Sequence, residues 1–189
     1  MKFFLIMACV MAIPMVMAAA ANAANPVVVM KTSLGTVKIE LYEEKAPISV
    51  KNFLAYVDDK FYDDTIFHRV IPGFMVQGGG FNAKGAEKKE TKAPIKNESA
   101  NAVLNERGTL AMARTNVVDS ATAQFFVNVK NNAFLNRSAQ GAGYAVFGRV
   151  IDGMDVVDKI EAVKTATNGS NENWPVEDVK IESIRRVEK

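Results

Sequence analysis

Residues 66–81, IFHRVIPGFMVQGGGF, constrain the chain more than any other stretch. Two short apolar runs flank a Pro-Gly pair, and three glycines follow. Pro72 presets the second position of a reverse turn, and Gly73 tolerates whatever φ the third position needs. The flanking runs, residues 65–70 and 74–77, read as strands. Strand side chains alternate, so Phe67 and Arg69 are predicted to share one face and Ile66, His68 and Val70 the other. Beyond the turn, Met75 and Gln77 fall together. One face thereby offers a guanidinium, a thioether and a primary amide. Gly78-Gly79-Gly80 lets the backbone bend sharply or come close to another group.

Ahead of this stretch stands a leader. Lys2 gives a short positive start, residues 3–17 are apolar, and residues 18–23 are rich in small side chains ending Ala21-Asn22-Ala23. This is the pattern of a secretory signal peptide cleaved after Ala23. The apolar run falls short of the ~20 residues that span a bilayer, and Pro14 interrupts it. Residues 1–23 are therefore read as a removed leader and residues 24–189 as one exported domain. That domain holds 166 of the 189 residues, enough for a sizeable core. The single cysteine, Cys9, leaves with the leader, so the mature chain is expected to carry no disulfide. The leader takes one of the 23 basic residues and none of the 21 acidic ones, which leaves 22 against 21. So even a balance gives no general attraction to nucleic acid or to an anionic membrane.

Residues 27–33 and 36–42 are β-rich runs around Leu34-Gly35, a predicted hairpin. Pro47 suits a first helical position. Ile48, Val50, Phe53, Leu54 and Val57 then give a helical apolar stripe that ends near Asp58-Asp59. Residues 81–101 are polar, with Lys84, Lys88, Lys89, Lys92 and Lys96 against Glu87, Glu90 and Glu98. Without aromatic interleaving they read as a solvated loop rather than a nucleic-acid surface. Residues 109–113, 124–129 and 144–150 read as strands. In the middle one, Gln124, Phe126 and Asn128 share a face, opposite Phe125, Val127 and Val129. Residues 114–122 and 131–143 read as loops. Residues 153–163 form a predicted second helix with Met154, Val157 and Ile160 on one side. Residues 165–175 read as a polar loop around Trp174, and residues 176–187 as a closing strand. Many short strands with two helices point to a mainly β barrel with capping helices.

The run FHRVIPGFMVQGG at residues 67–79 resembles the signature of the cyclophilins, the cyclosporin-binding class of peptidyl-prolyl isomerases. The resemblance extends from about residue 28 to about residue 187 and looks strongest toward exported, periplasmic bacterial members. It implies a closed eight-stranded antiparallel β-barrel with an α-helix at each end, and rotation about Xaa-Pro bonds without metal or cofactor. On this resemblance Arg69 occupies the catalytic arginine's place, and Gln77 matches the glutamine that orients it and touches substrate. Phe74, Met75, Phe126 and Leu135 match the pocket for the proline ring, and Gln124 a second polar wall. Ala113 and Arg114 align with the segment whose backbone binds the residue before proline. Phe134 and Tyr144 complete the expected substrate-binding set. The best-known eukaryotic members have tryptophan and histidine at these two positions, and asparagine at Arg114. Loss of the indole N–H predicts weak cyclosporin binding with catalysis retained. The expected partners are proline-containing unfolded or newly exported polypeptides, met by a monomer that contacts neither nucleic acid nor, once cleaved, a membrane.

The residues leave little room for other chemistry. A lone histidine, His68, cannot build a multi-histidine metal site, and no Gly-x-Ser-x-Gly or phosphate-binding loop occurs. His68 falls on the apolar side of its predicted strand, where a satisfied core histidine is expected. Amide rotation needs neither nucleophile nor metal. Its barrier is about 20 kcal/mol because resonance must be broken, while cis and trans Xaa-Pro differ by only ~1 kcal/mol. In the twisted state the proline nitrogen regains a lone pair, and a donor aimed at it binds that state better than the planar one. Arg69, permanently charged and planar, suits this role. A non-catalytic binding module or holdase using the same groove is the alternative. Arg69 and Gln77 favour the enzyme, because capturing an apolar side chain does not require them.

Overall fold

The computed structural model describes residues 24–88 and 90–188, so the leader read at residues 1–23 lies outside the described residues. Alternation builds the first hairpin. β1 (Val27–Thr32) and β2 (Gly35–Leu41) pair antiparallel without a break from Val27↔Glu40 to Thr32↔Gly35. Val28, Met30, Val37, Ile39 and Leu41 point inward and are fully buried, while Lys31 and Lys38 stay in water. The chain then enters α1 (Pro47–Asp58), with proline in the first turn, as expected. Ala46 offers no capping side chain. Glu98, fifty residues on in the polar loop, accepts hydrogen bonds from the N–H groups of Ile48 (3.0 Å) and Ser49 (2.7 Å). A carboxylate thus satisfies two open donors at the positive end of the helix.

The remaining elements are β3 (Thr65–Ile71), β4 (Met75–Asn82), β5 (Thr109–Met112), β6 (Phe125–Asn128), β7 (Val146–Asp152), α2 (Met154–Glu161), β8 (Thr165–Asn168), β9 (Asn171–Pro175) and β10 (Lys180–Arg186). Eight strands close a barrel in the order β1-β10-β3-β4-β6-β5-β7-β2, each pair of neighbours antiparallel. Closure leaves none of these strands with an open edge. The two helices cap opposite ends. Phe53 of α1 packs on Tyr62, Phe125 and Phe147, with ring centroids 5.2–5.5 Å apart, next to the start of β3. α2 sits at the other end of β3. Its Glu161 accepts from the Gly73 N–H at 2.6 Å, and its Val156 covers the Gly35 turn. Both helices feed apolar side chains into the single interior cluster.

Four expectations need correction. Residues 165–175 are not a loop but the β8–β9 hairpin, whose polar composition hides its pairing. The closing strand begins at Lys180, not at residue 176, and Val176 is exposed. β7 begins at Val146, so Tyr144 precedes the strand and donates its N–H to the Leu135 carbonyl at 2.9 Å. The fourth correction concerns faces. β3 is bulged between Phe67 and Arg69, where two steps of β3 oppose one step of β4. Phe67 and Val70 both enter the interior cluster, whereas His68 and Arg69 both open onto an outer groove. The simple period of two therefore fails there, as it does at any bulge.

Candidate active site

The β3–β4 hairpin supplies half of the site. Phe74 donates its N–H to the Ile71 carbonyl at 3.1 Å across Pro72-Gly73, and Gly73 has φ +66°, the sign a type II turn requires at its third position. Register then lines up a row across four strands: Arg69↔Gln77, Gln77↔Phe126 and Phe126↔Ala111. On the outer face of the barrel this row places a guanidinium, an amide, a phenyl ring and a methyl group side by side. Ala111 itself is fully buried beneath this face. A second apolar cluster forms there, with Met75, Ala111, Phe126, Leu135 and Val146 buried and Phe74, Ala113 and Tyr144 packed around them.

The resulting pocket has a volume of about 110 Å³ and is lined by Arg69, Phe74, Met75, Gln77, Ala113, Arg114, Phe126, Leu135 and Tyr144. All nine belong to the set expected from the sequence. Gln124 lies beside them, in an adjoining polar groove of about 500 Å³ that also reaches His68 and the β8–β9 tip at residues 170–173. Phe134 does not line the pocket. It stands 75 % exposed at the edge, its ring 5.4 Å from that of Phe74.

Polar contacts set the walls. Gln77 Nε2 donates to Gln124 Oε1 at 2.8 Å, and the Gln124 amide lies against Gly80, where a Cβ would fall 2.5 Å from it. The glycine run thus serves close approach. The Arg69 guanidinium makes no hydrogen bond or ion pair to another described residue. No hydrogen bond joins Gln77 to Arg69; the two residues are cross-strand neighbours lining the same pocket, and the Gln77 amide donates to Gln124. The Arg114 guanidinium carbon sits over the Tyr144 ring, 4.6 Å from its centroid, and Tyr144 meets Phe126 edge-on at 5.7 Å. Among the described residues neither carboxylate nor histidine lines the pocket. It offers cationic and amide donors over an apolar floor, with no acid–base pair for proton transfer.

Sequence reasoning missed two supports. One is a buried asparagine network. Asn128 Nδ2 donates to Asn105 Oδ1 (3.2 Å) and Thr109 Oγ1 (3.0 Å), and Asn132 Nδ2 to Asn128 Oδ1 (2.7 Å) and the Phe74 carbonyl (2.9 Å). Asn105 Nδ2 reaches the Leu135 and Tyr144 carbonyls, both at 3.3 Å. The signal was an amide on the same face as Phe126 in an otherwise apolar strand. The other is His68. It is buried as expected, but outside the barrel interior, packed on Phe81 and Trp174, and its Nδ1 has no partner among the described residues. It is therefore not the satisfied core histidine that alternation suggested. Burial, reinforced by the neighbouring Arg69 charge, lowers its pKa to about 4, so it is neutral at neutral pH. Among the described residues no three His, Cys, Asp or Glu side chains gather as metal ligands, and no helix is long and apolar enough to cross a membrane.

Comparison with known proteins agrees with this geometry. Residues 27–186 match the family model described as cyclophilin type peptidyl-prolyl cis-trans isomerase/CLD. The chain is 62 % identical over 162 residues to a peptidyl-prolyl cis-trans isomerase of Acinetobacter baylyi, covering 86 % of each. It is 56 % identical over 160 residues to peptidyl-prolyl cis-trans isomerase B of Escherichia coli, covering 83 % of this chain and 97 % of the relative. Among solved structures, a cyclophilin-type isomerase of Cryptosporidium parvum superposes with a TM-score of 0.72 at 26 % identity, covering 87 % of this chain and 99 % of that one. A further structure of that protein, determined in the presence of the dipeptide Ala-Pro, gives a TM-score of 0.71. Barrel, matched span and relatives together place the chain in the cyclophilin family, and it is a peptidyl-prolyl cis-trans isomerase.

Proposed function

We propose that the pocket between Arg69 and Phe126 receives the prolyl ring of an unfolded, newly exported polypeptide, and that Arg69 stabilises the twisted amide. The observation that carries this reading is an unpaired guanidinium beside an apolar depression of about 110 Å³. Met75, Phe126 and Leu135 hold the ring by burial. Arg69 donates to the proline nitrogen as that atom pyramidalises, an interaction the planar ground state cannot make. Gln77, anchored by Gln124, has a free carbonyl edge among the described residues and positions the substrate backbone. By analogy with oxyanion-hole donors, a charged donor held at the reacting nitrogen contributes up to ~3–4 kcal/mol once bound substrate covers the pocket. An acceleration of ~10⁵-fold needs about 7 kcal/mol, so desolvation of the amide and positioning contribute the rest.

The test is a proline-limited peptide assay on the wild type and Arg69→Ala. The variant is expected to lose about 10²–10³ in kcat/KM with its fold intact. Equal activity would remove Arg69 from the mechanism, and a pair that suppresses aggregation without accelerating any peptide would mark a holdase. Export follows from the leader, and a mature N-terminus at Ala24 read by mass spectrometry supports it; retention of Met1 or Lys2 overturns it. The protein acts as a monomer in this reading, and a dimer mass in solution would refute that. Cyclosporin binds weakly, because Phe134 has no N–H to donate. Phe134→Trp is expected to tighten it about tenfold, and nanomolar inhibition of the wild type would contradict the reading.

A further inference from the structure

We infer that Arg114 selects substrates that carry a carboxylate side chain next to the proline, an inference that rests on assigning the pocket to the prolyl ring. Four of the chain's seven arginines, Arg107, Arg149, Arg185 and Arg186, are ion-paired with carboxylates. Arg69 and Arg114 have no such partner among the described residues, and both line the same pocket. Among the described residues no carboxylate lines that pocket, and the adjoining groove, which both arginines also border, brings one, Glu172. Two cations in a concave site create a positive potential that an incoming carboxylate relieves and an incoming lysine aggravates.

Arg114 is built to use that potential. Its Nε donates to the Gly143 carbonyl at 3.1 Å and its Nη1 to the Thr115 carbonyl at 2.9 Å. Its guanidinium carbon sits over the Tyr144 ring, and the Gly143 carbonyl is itself fixed by Asn97 Nδ2 at 3.1 Å. Nη2 has no partner among the described residues. The fork is therefore already ordered before substrate arrives, and little rotamer freedom is left to lose. Arg69 is engaged by the reacting amide, which leaves Arg114 to meet the side chain of an adjacent residue.

The experiment uses two peptide sets, with Glu, Ala or Lys placed immediately before the proline in one and immediately after it in the other. Wild type and Arg114→Gln are assayed at low salt and at about 0.5 M salt, where charge interactions beyond a few ångströms are screened. In the wild type Glu is expected to exceed Lys in kcat/KM by about fivefold to tenfold on at least one side, less at high salt. In Arg114→Gln the ratio is expected to fall below about twofold. A wild-type ratio near one, or a ratio that persists in Arg114→Gln, overturns the inference. Equal acceleration of all peptides sinks this selectivity alone, whereas acceleration of none sinks the pocket assignment itself. Circular dichroism establishes that Arg114→Gln is folded; if it is not, the wild-type salt dependence decides, and a salt-independent ratio refutes the role.

Discussion

His68 and Arg69 are chain neighbours that the β3 bulge turns to the same outer side, yet they end in opposite electrostatic states. Arg69 keeps its charge at the pocket. His68 is wedged against Phe81 and Trp174, with ring centroids 4.6 and 6.0 Å away, and burial holds its pKa near 4. A neutral imidazole spares Arg69 a competing cation. The unfolded chain binds this proton near pH 6.5 and the folded chain only near pH 4. Between those values the unfolded state holds more protons, so stability falls as pH falls through the window and is unaffected by this group above it. Urea unfolding at pH 7 and pH 4.5 reads the effect. The wild type is expected to lose ~2–3 kcal/mol more than His68→Gln, since the carboxylates are common to both. Equal losses would show that the native protein holds His68 as a cation. Burial of His68 was legible in its apolar neighbours. Its unpaired Nδ1 was not, because nothing local in the sequence says which atoms the β8–β9 hairpin will cover.

At the scale of elements, β1 and β2 were legible because one face is core and the other water, and β5 and β6 because they are short apolar runs buried on both faces. The β8–β9 hairpin was not: its run TATNGSNENWP buries little beyond Trp174, so pairing rather than patterning defines it. Nor was the bulge, since the one extra residue it places in β3 is specified by the long-range pairing with β4. The site loops depend on a third device, the asparagine network between β6 and the segments carrying Phe74, Leu135 and Tyr144. Asn128 is fully buried and at its centre. Asn128→Leu strands the polar groups of Asn105, Thr109 and Asn132. It is expected to cost ~2–3 kcal/mol in urea unfolding. Because Asn132 and Asn105 also hold the Phe74, Leu135 and Tyr144 carbonyls, KM for peptides is expected to rise more than kcat falls. An unchanged KM with the same stability loss would separate the network from the pocket.

Across the whole molecule, one sheet serves two apolar clusters that share no buried residue. The inner one fills the barrel and joins both helices to it. The outer one floors the pocket. β6 faces both, and its consecutive phenylalanines divide the work. Phe125 is fully buried and meets Phe53, Tyr62 and Phe67 edge-on at 5.5–6.4 Å. Phe126, 4 % exposed, meets Tyr144 and the pocket. The alternation that assigns them to opposite faces was readable in QFFVNV. Which face would be the barrel interior was not, because closure depends on β10 reaching back between β1 and β3 from the far end of the chain. Phe125→Ala opens a cavity among rings that cannot collapse into it, and ~3–5 kcal/mol of stability is expected to be lost. Its activity, measured on the fraction that remains folded, is expected to stay within about threefold of wild type, since no pocket wall is touched. Phe126→Ala borders a surface depression that water can fill, so its stability loss is expected to be smaller, by ~1–2 kcal/mol. That substitution removes the floor against which a prolyl ring is held, and kcat/KM is expected to fall at least about tenfold. Should Phe126→Ala keep full activity while unfolding as readily as Phe125→Ala, the outer cluster would be a second core and the proline site would have to lie elsewhere on the barrel.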